Sequence, residues 1–207
     1  MRAMSVKAVA SVAALVAGTA GADPAFPRIY DLAPEARADG VEIHAEPGAT
    51  AAVIGHLDGN APGVEVIAVT ETGDWLQVPL AERTGWARTG QLRPRPASEY
   101  GKAGDRLLFA PNMRCSGTEP FWSLDVTQMQ DARLSRMGED DLTLPAGRIR
   151  VSAKETDRYF LDLGPVHAAL LQAEICSDGM SDRLYGLQIN LVVDQSDIVR
   201  GCCSLVP

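Results

Sequence analysis

The sequence predicts an all-β protein of two modules, and three observations carry that reading. Turn-forming residues recur at short spacing, including Glu46-Pro47-Gly48, Asp58-Gly59-Asn60, Thr72-Gly73-Asp74 and Pro145-Ala146-Gly147. Between them lie short runs rich in β-branched and aromatic residues, the pattern of small sandwiches and barrels. The second half adds segments in which apolar and polar residues alternate with period two, as half-buried strands require.

In the first half, Val64 to Val69, Trp75 to Val78 and Thr84 to Arg88 read as strands. A break follows at Leu92-Arg93-Pro94-Arg95-Pro96-Ala97-Ser98, where two prolines within three residues prevent a continuous helix or central strand. The module boundary is placed there, with a first module over 29–93, a Pro-containing linker over 94–108 and a second module over 109–207. In the second module, Ile149, Val151 and Ala153 alternate with polar neighbours. Leu187, Ile189, Leu191 and Val193 do the same, interrupted only by Val192. Both segments are expected to be strands of antiparallel sheet. The segment Val166 to Ile175 fits a short helix or a buried strand equally.

The chain opens with Arg2 and Lys7, an apolar stretch from Ala8 to Ala17, and Ala20-Gly21-Ala22. That order is the n-region, h-region and A-x-A site of a secretory signal peptide over 1–22, leaving Asp23 as the mature N-terminus. The stretch is shorter than the roughly 20 residues of a bilayer span. No membrane span is therefore expected, and the protein is placed in the periplasm or outside the cell. Without Arg2 and Lys7, 17 basic residues face 27 acidic ones. Such a chain is repelled by nucleic acid and by anionic membrane surfaces.

All four cysteines, Cys115, Cys176, Cys202 and Cys203, lie in the second half, and an even count in an oxidising compartment favours disulfides. On a strand, Cys202 and Cys203 point to opposite faces and are able to serve two partners, Cys115 and Cys176. A strained vicinal Cys202–Cys203 bridge is the alternative. No C-x-x-C is present, and His44, His56 and His167 show no metal-ligand spacing. No metal or other cofactor is expected.

From about Ile29 to Leu92 the chain resembles the bacterial SH3 family of extracytoplasmic modules. The matching residues are Val41-Glu42-Ile43-His44-Ala45-Glu46-Pro47-Gly48, Val53-Ile54-Gly55-His56-Leu57, the Trp75 strand and Gly85-Trp86-Ala87. Val41, Glu42 and His44 replace the Leu, Asn and Arg usual in that family's first element. The second half resembles an uncharacterised family of bacterial envelope domains. It shares Cys115-Ser116-Gly117-Thr118-Glu119-Pro120-Phe121-Trp122 and Cys176-Ser177-Asp178-Gly179-Met180-Ser181-Asp182-Arg183-Leu184-Tyr185, with Gly201-Cys202 near the end. Together the resemblances imply a small SH3-like barrel followed by a disulfide-stapled, antiparallel β-barrel-like domain. They imply a Cys176–Cys202 bridge, and Cys115, an addition to the family pattern, would then pair with Cys203.

Gly179-x-Ser181 lacks the last glycine of a nucleophile elbow, and no catalytic constellation is found. Asp178 and Asp182 flank a turn without the ligand order of a calcium loop. Trp75 and Trp86 read as cover for a small core or as a ligand platform. Glu119 and Arg183 lie inside the two motifs, beside Phe121 and Trp122 in one and Tyr185 in the other. They are expected to meet as an ion pair, either fixing two loops together or orienting a ligand pocket lined by the aromatics. The expected function is that of a non-catalytic envelope protein binding cell-wall peptide or another envelope protein. Its rivals are an accessory module of a cell-wall hydrolase system, and a carrier or inhibitor domain for a small apolar ligand or a hydrolase. An internal cavity in the second domain would favour the carrier.

Overall fold

The computed structural model describes residues 26–96, 109–155 and 157–207. The expected signal peptide and most of the expected linker lie outside them. The chain is all-β, with antiparallel sheets and two disulfides.

The first module is built from β1 (Arg28–Leu32), β2 (Val41–His44), β3 (Val53–Leu57), β4 (Val64–Val66), β5 (Ala68–Val69), β6 (Trp75–Pro79), β7 (Thr84–Arg88) and β8 (Leu92–Pro94). They form a five-stranded sheet in the order β3-β2-β7-β6-β5 and a three-stranded sheet in the order β4-β1-β8. The expected strand from Val64 to Val69 is divided at Ile67, where the chain leaves one sheet for the other and the Ile67 N–H bonds the Gln77 carbonyl at 3.0 Å. Alternation drives Val41, Ile43, Val64, Val66, Leu76 and Val78 into a common core. Pro94 ends an edge strand, where its missing N–H costs no ladder bond. Arg95, expected in the linker, bonds back to β1 through its N–H to Ile29 O and its guanidinium to Asp31.

The second module comprises β9 (Asn112–Thr118), β10 (Phe121–Thr127), β11 (Asp131–Arg136), β12 (Leu142–Pro145), β13 (Arg150–Val151), β14 (Arg158–Asp162), β15 (Ala168–Cys176), β16 (Tyr185–Val193) and β17 (Asp197–Val206). Each strand except β12 and β13 pairs with its neighbours in sequence, and β17 returns to pair with β9. The sheet thus curls into a barrel with one seam, between β12 and β13. Residues 146–149 cross that seam. Ala146 N–H bonds Gln130 O at 3.2 Å on one side, and Gly147 N–H bonds Asp162 O at 2.9 Å on the other.

Period-two alternation fills the interior, where Leu187, Ile189, Leu191 and Val193 are fully buried as expected. Leu124, Leu161 and Leu163 join them with no accessible surface, so they border no space that a water molecule can enter. Val166 to Ile175, ambiguous in sequence, is mostly the strand β15. The expected strand around Ile149 is only two residues long, and Val151 faces outward. At the seam the Ile149 N–H is taken by the buried Gln128 side chain at 3.0 Å rather than by a ladder partner, which ends the alternation.

The modules pack against each other through β4, β17 and the segment before β16. Ile29 of β1 belongs to the barrel's core cluster. Glu65 on β4 is buried and accepts the Leu205 N–H at 2.7 Å. Leu184 N–H donates to the Thr84 hydroxyl at 2.7 Å, and Arg83 and Asp182 form an isolated bridge.

Candidate functional site

The two motifs singled out in the sequence meet in space, although not through the expected pair. In the first, Thr118 pairs with Phe121 across a two-residue hairpin loop, Glu119-Pro120, whose peptide bond is cis. In the second, Gly179 takes a positive φ of 73° within a loop braced by local bonds. Met180 N–H donates to Asp178 at 3.0 Å, and the Tyr185 hydroxyl donates to the same carboxylate at 2.8 Å. Burial, followed by that hydrogen bond, pushes the Tyr185 hydroxyl up to about 12. The loop begins at the Cys176–Cys202 disulfide, which ties it to β17 on the outer wall. The Cys115–Cys203 disulfide joins β9 to β17 on the inner face. Both pairings agree with the sequence expectation.

Glu119 does not pair with Arg183. Its side chain is exposed at the hairpin tip, whereas Arg183 turns toward the first module. There its guanidinium donates to Leu80 O at 2.7 Å and to the Ser204 hydroxyl at 3.0 Å, and it lies 5.0 Å from the Tyr185 ring. The open main-chain carbonyl at Leu80 satisfies the cation, a partner from another module that sequence reasoning cannot see. Arg183 also lies near Glu65. Burial raises the Glu65 carboxyl to about 7, against the opposing pull of the Leu205 N–H, Ser204 and Arg183.

Between the hairpin and the loop, the barrel wall carries an open trough. One section, of about 400 Å³, is bounded by Phe121, Met137, Thr118, Asp178 and Met180. A second, of about 270 Å³, shares Gly117, Thr118 and Asp178 and continues to Arg200 and Gln188. Strand register explains its shape. Ser123 on β10 pairs with Ser116 on β9 and with Ser135 on β11, and Cys202 pairs with Ser116. This row of small side chains forms the floor. Two residues along lies a bulkier row. Phe121 pairs with Thr118, and Met137 N–H bonds Phe121 O at 3.1 Å. Extending the β9–β17 register sets Arg200 opposite Thr118.

Phe121, Met137 and Met180 are 48%, 72% and 65% exposed, a concentration of large apolar side chains at one end of the trough. Trp122 faces inward and is 4% exposed, seated where Gly117 and Gly201 leave room. Its Nε1 has no hydrogen-bond partner among the described residues. At Gly117 a Cβ would lie 2.3 Å from both Trp122 Nε1 and Arg200 O, so glycine is required by close approach.

Of the nine candidate residues, Phe121, Trp122 and Asp178 border the trough, and Tyr185 braces its loop. Asp182 and Arg183 belong to the contact between modules. Trp75 and Trp86 stand apart in the first module. Trp75 is buried edge-on against His44 at 5.3 Å, with Arg88 4.9 Å from its ring, and Trp86 is half-buried. Sequence reasoning missed Met137, Met180, Arg200 and the serine row. Of these, Met180 and Ser116 lie inside the two motifs and carried a local signal. Among the described residues no cluster of His, Cys, Asp and Glu is placed to hold a metal, and no helix is long and apolar enough to cross a membrane. No protein-family model, no curated protein and no solved structure matches this chain.

Proposed function

We propose that the protein is an exported, non-catalytic binding module of the cell envelope, and that the trough on the barrel wall is its contact surface for another envelope protein. The observation that carries this reading is the convergence of the two motifs on a trough flanked by three exposed, large apolar side chains. Thioether and aromatic side chains suit the apolar residues of a protein partner better than a polar glycan. Core side chains such as Leu124, Leu161, Leu187 and Ile189 have no accessible surface and border no cavity, which weighs against the carrier reading. Ser181 accepts a bond from Arg183 N–H at 3.3 Å within its own loop, with no hydrogen bond to a base among the described residues. The signal peptide read from the sequence supplies the compartment, and two disulfides suit it.

A photo-cross-linking residue placed at Met137 or Met180 of the full chain, expressed in its host, tests the reading. Adducts with an envelope protein are expected from both positions and not from Ile198, which is equally exposed elsewhere on the wall. No adduct above the Ile198 control, together with sedimentation of the mature protein on purified peptidoglycan, would transfer the function to cell-wall binding.

A further inference from the structure

The charge at the far end of the trough narrows the class of partner, on the reading that the trough is a protein-docking surface. Arg200 is exposed, and among the described residues it bonds only a neutral group, Gln188 Oε1, at 2.8 Å. Other arginines on the barrel's outer wall are matched to carboxylates: Arg114 to Asp125, Arg133 to Asp141, and Arg158 to Glu155. Arg150 instead lies over the Phe160 ring. In a chain with 27 acidic residues against 19 basic ones, an arginine at the end of a trough with no carboxylate partner among the described residues is an unfilled half of an ion pair.

The floor adds a second observation. Ser116 and Ser123 are half-buried, and their hydroxyls have no partner among the described residues. Asp141 engages Ser135. Two unoccupied hydroxyls along a narrow floor are placed to bond the exposed N–H and C=O groups of an extended chain, which must be satisfied when they leave water.

We propose that the trough binds an extended segment of a partner polypeptide, with an apolar side chain against Phe121, Met137 and Met180 and a carboxylate on Arg200. The spacing follows from the sheet. Phe121 and Arg200 stand two strands apart, about 10 Å at the usual strand separation. An extended chain advances about 3.3 Å per residue and turns the same face every second residue, so the apolar and acidic residues of the occupant lie two or four positions apart, the spacings that bracket this distance. The guanidinium fork is suited to a carboxylate, whether a side chain or a chain terminus. Asp178 lines the same section of the trough but forms no ion pair with Arg200; its oxygens accept the Tyr185 hydroxyl and the Met180 N–H.

Selection of a displayed library of random seven-residue peptides on the oxidised mature protein tests this. The enriched pool is expected to pair Asp or Glu with Leu, Ile, Phe or Met two or four positions away. On Arg200→Gln the acidic preference should disappear while the apolar one remains, and a selected peptide should bind about fivefold more weakly, the upper range for an exposed ion pair. On the exposed double variant Met137→Ser, Met180→Ser the apolar preference should be lost. The proposal is overturned by no enrichment above a protein-free control, by an acidic preference that survives Arg200→Gln, or by displacement of the peptides by a purified cell-wall tetrapeptide. Protein adducts from positions 137 and 180 without an acidic preference would sink this proposal and leave the docking function standing. The acidic and apolar pattern without such adducts would support the site's chemistry and remove the envelope-protein function.

Discussion

Glu65→Gln should remove most of the pH dependence of stability between pH 4.5 and pH 8. Glu65 is buried between the modules, and its carboxyl is raised from the ordinary 4.5 to about 7, chiefly by burial. The folded state therefore binds a proton more tightly than the unfolded chain. A raised carboxyl gives stability that is fully present below the unfolded value and is lost as pH rises through the folded one. A tenfold difference in proton affinity is worth about 1.4 kcal/mol, so the separation between 4.5 and about 7 amounts to about 3 kcal/mol. Glutamine keeps an oxygen for the Leu205 N–H but never ionises. The assay is urea denaturation of the oxidised mature protein and the variant at several pH values, read by tryptophan fluorescence. The variant should match the parent near pH 4.5 and exceed it by about 3 kcal/mol at pH 8. Exposed carboxyls whose pKa is lowered, Glu35 and Asp141, tilt stability the opposite way but are common to both proteins and cancel in the difference. Parallel profiles, or a variant weaker at pH 8, would refute the argument that a neutral Glu65 is the form the interface accepts.

Arg183→Ala removes the bonds to Leu80 O and Ser204 and should cost about 2 to 3 kcal/mol. The loss should be greater at pH 8 than at pH 5, because ionised Glu65 then loses its nearby cation, and Glu65→Gln should abolish that difference in a double-mutant cycle. Non-reducing peptide mapping should recover Cys115–Cys203 and Cys176–Cys202 with no free thiol. Replacing each pair by alanine should cost about 5 and about 4 kcal/mol respectively, in that order because the cysteines are 88 and 26 residues apart, and a reversed order in urea titrations would count against the loop-entropy account. Gly117→Ala should lower stability by about 2 to 3 kcal/mol through the clash with Trp122 and Arg200. Gly90→Ala, with open space around it, should leave the urea midpoint nearly unchanged.

The legible parts of the fold were those set by local pattern. Leu187 to Val193 announced both a strand and its buried face, because period-two alternation is written in neighbouring residues. Ile67 was less legible, since a strand that changes sheets keeps its composition while its partners change. Ile149 to Ala153 misled for the opposite reason: the alternation is present, but the seam supplies no ladder partner to use it. The site divides in the same way. Two motifs flagged Phe121, Trp122 and Asp178, whereas the serine floor exists only once β9, β10 and β11 are in register. Arg200 looks like any other surface arginine until Thr118 lies opposite it. The sequence marks Arg183 but not its partner, because its acceptor is a carbonyl about 100 residues earlier in the chain, and no side-chain pattern advertises a carbonyl.

That acceptor also connects the first module to the trough. The Ser177–Asp182 loop forms one wall, with Met180 at its rim, and it has few apolar contacts of its own to fix it. Its N-terminal end is held by the Cys176–Cys202 disulfide. Its C-terminal end is held by the first module, through Arg183 on Leu80 O, Leu184 N–H on Thr84 and the Arg83–Asp182 bridge. A loop pinned at both ends loses less conformational freedom when a partner docks against it, which is the thermodynamic benefit of preorganisation. In the proposed docking function, the first module thus bears on the trough without touching the occupant. Glu65 and Arg183, which join the modules, act on the same wall through their effect on that packing.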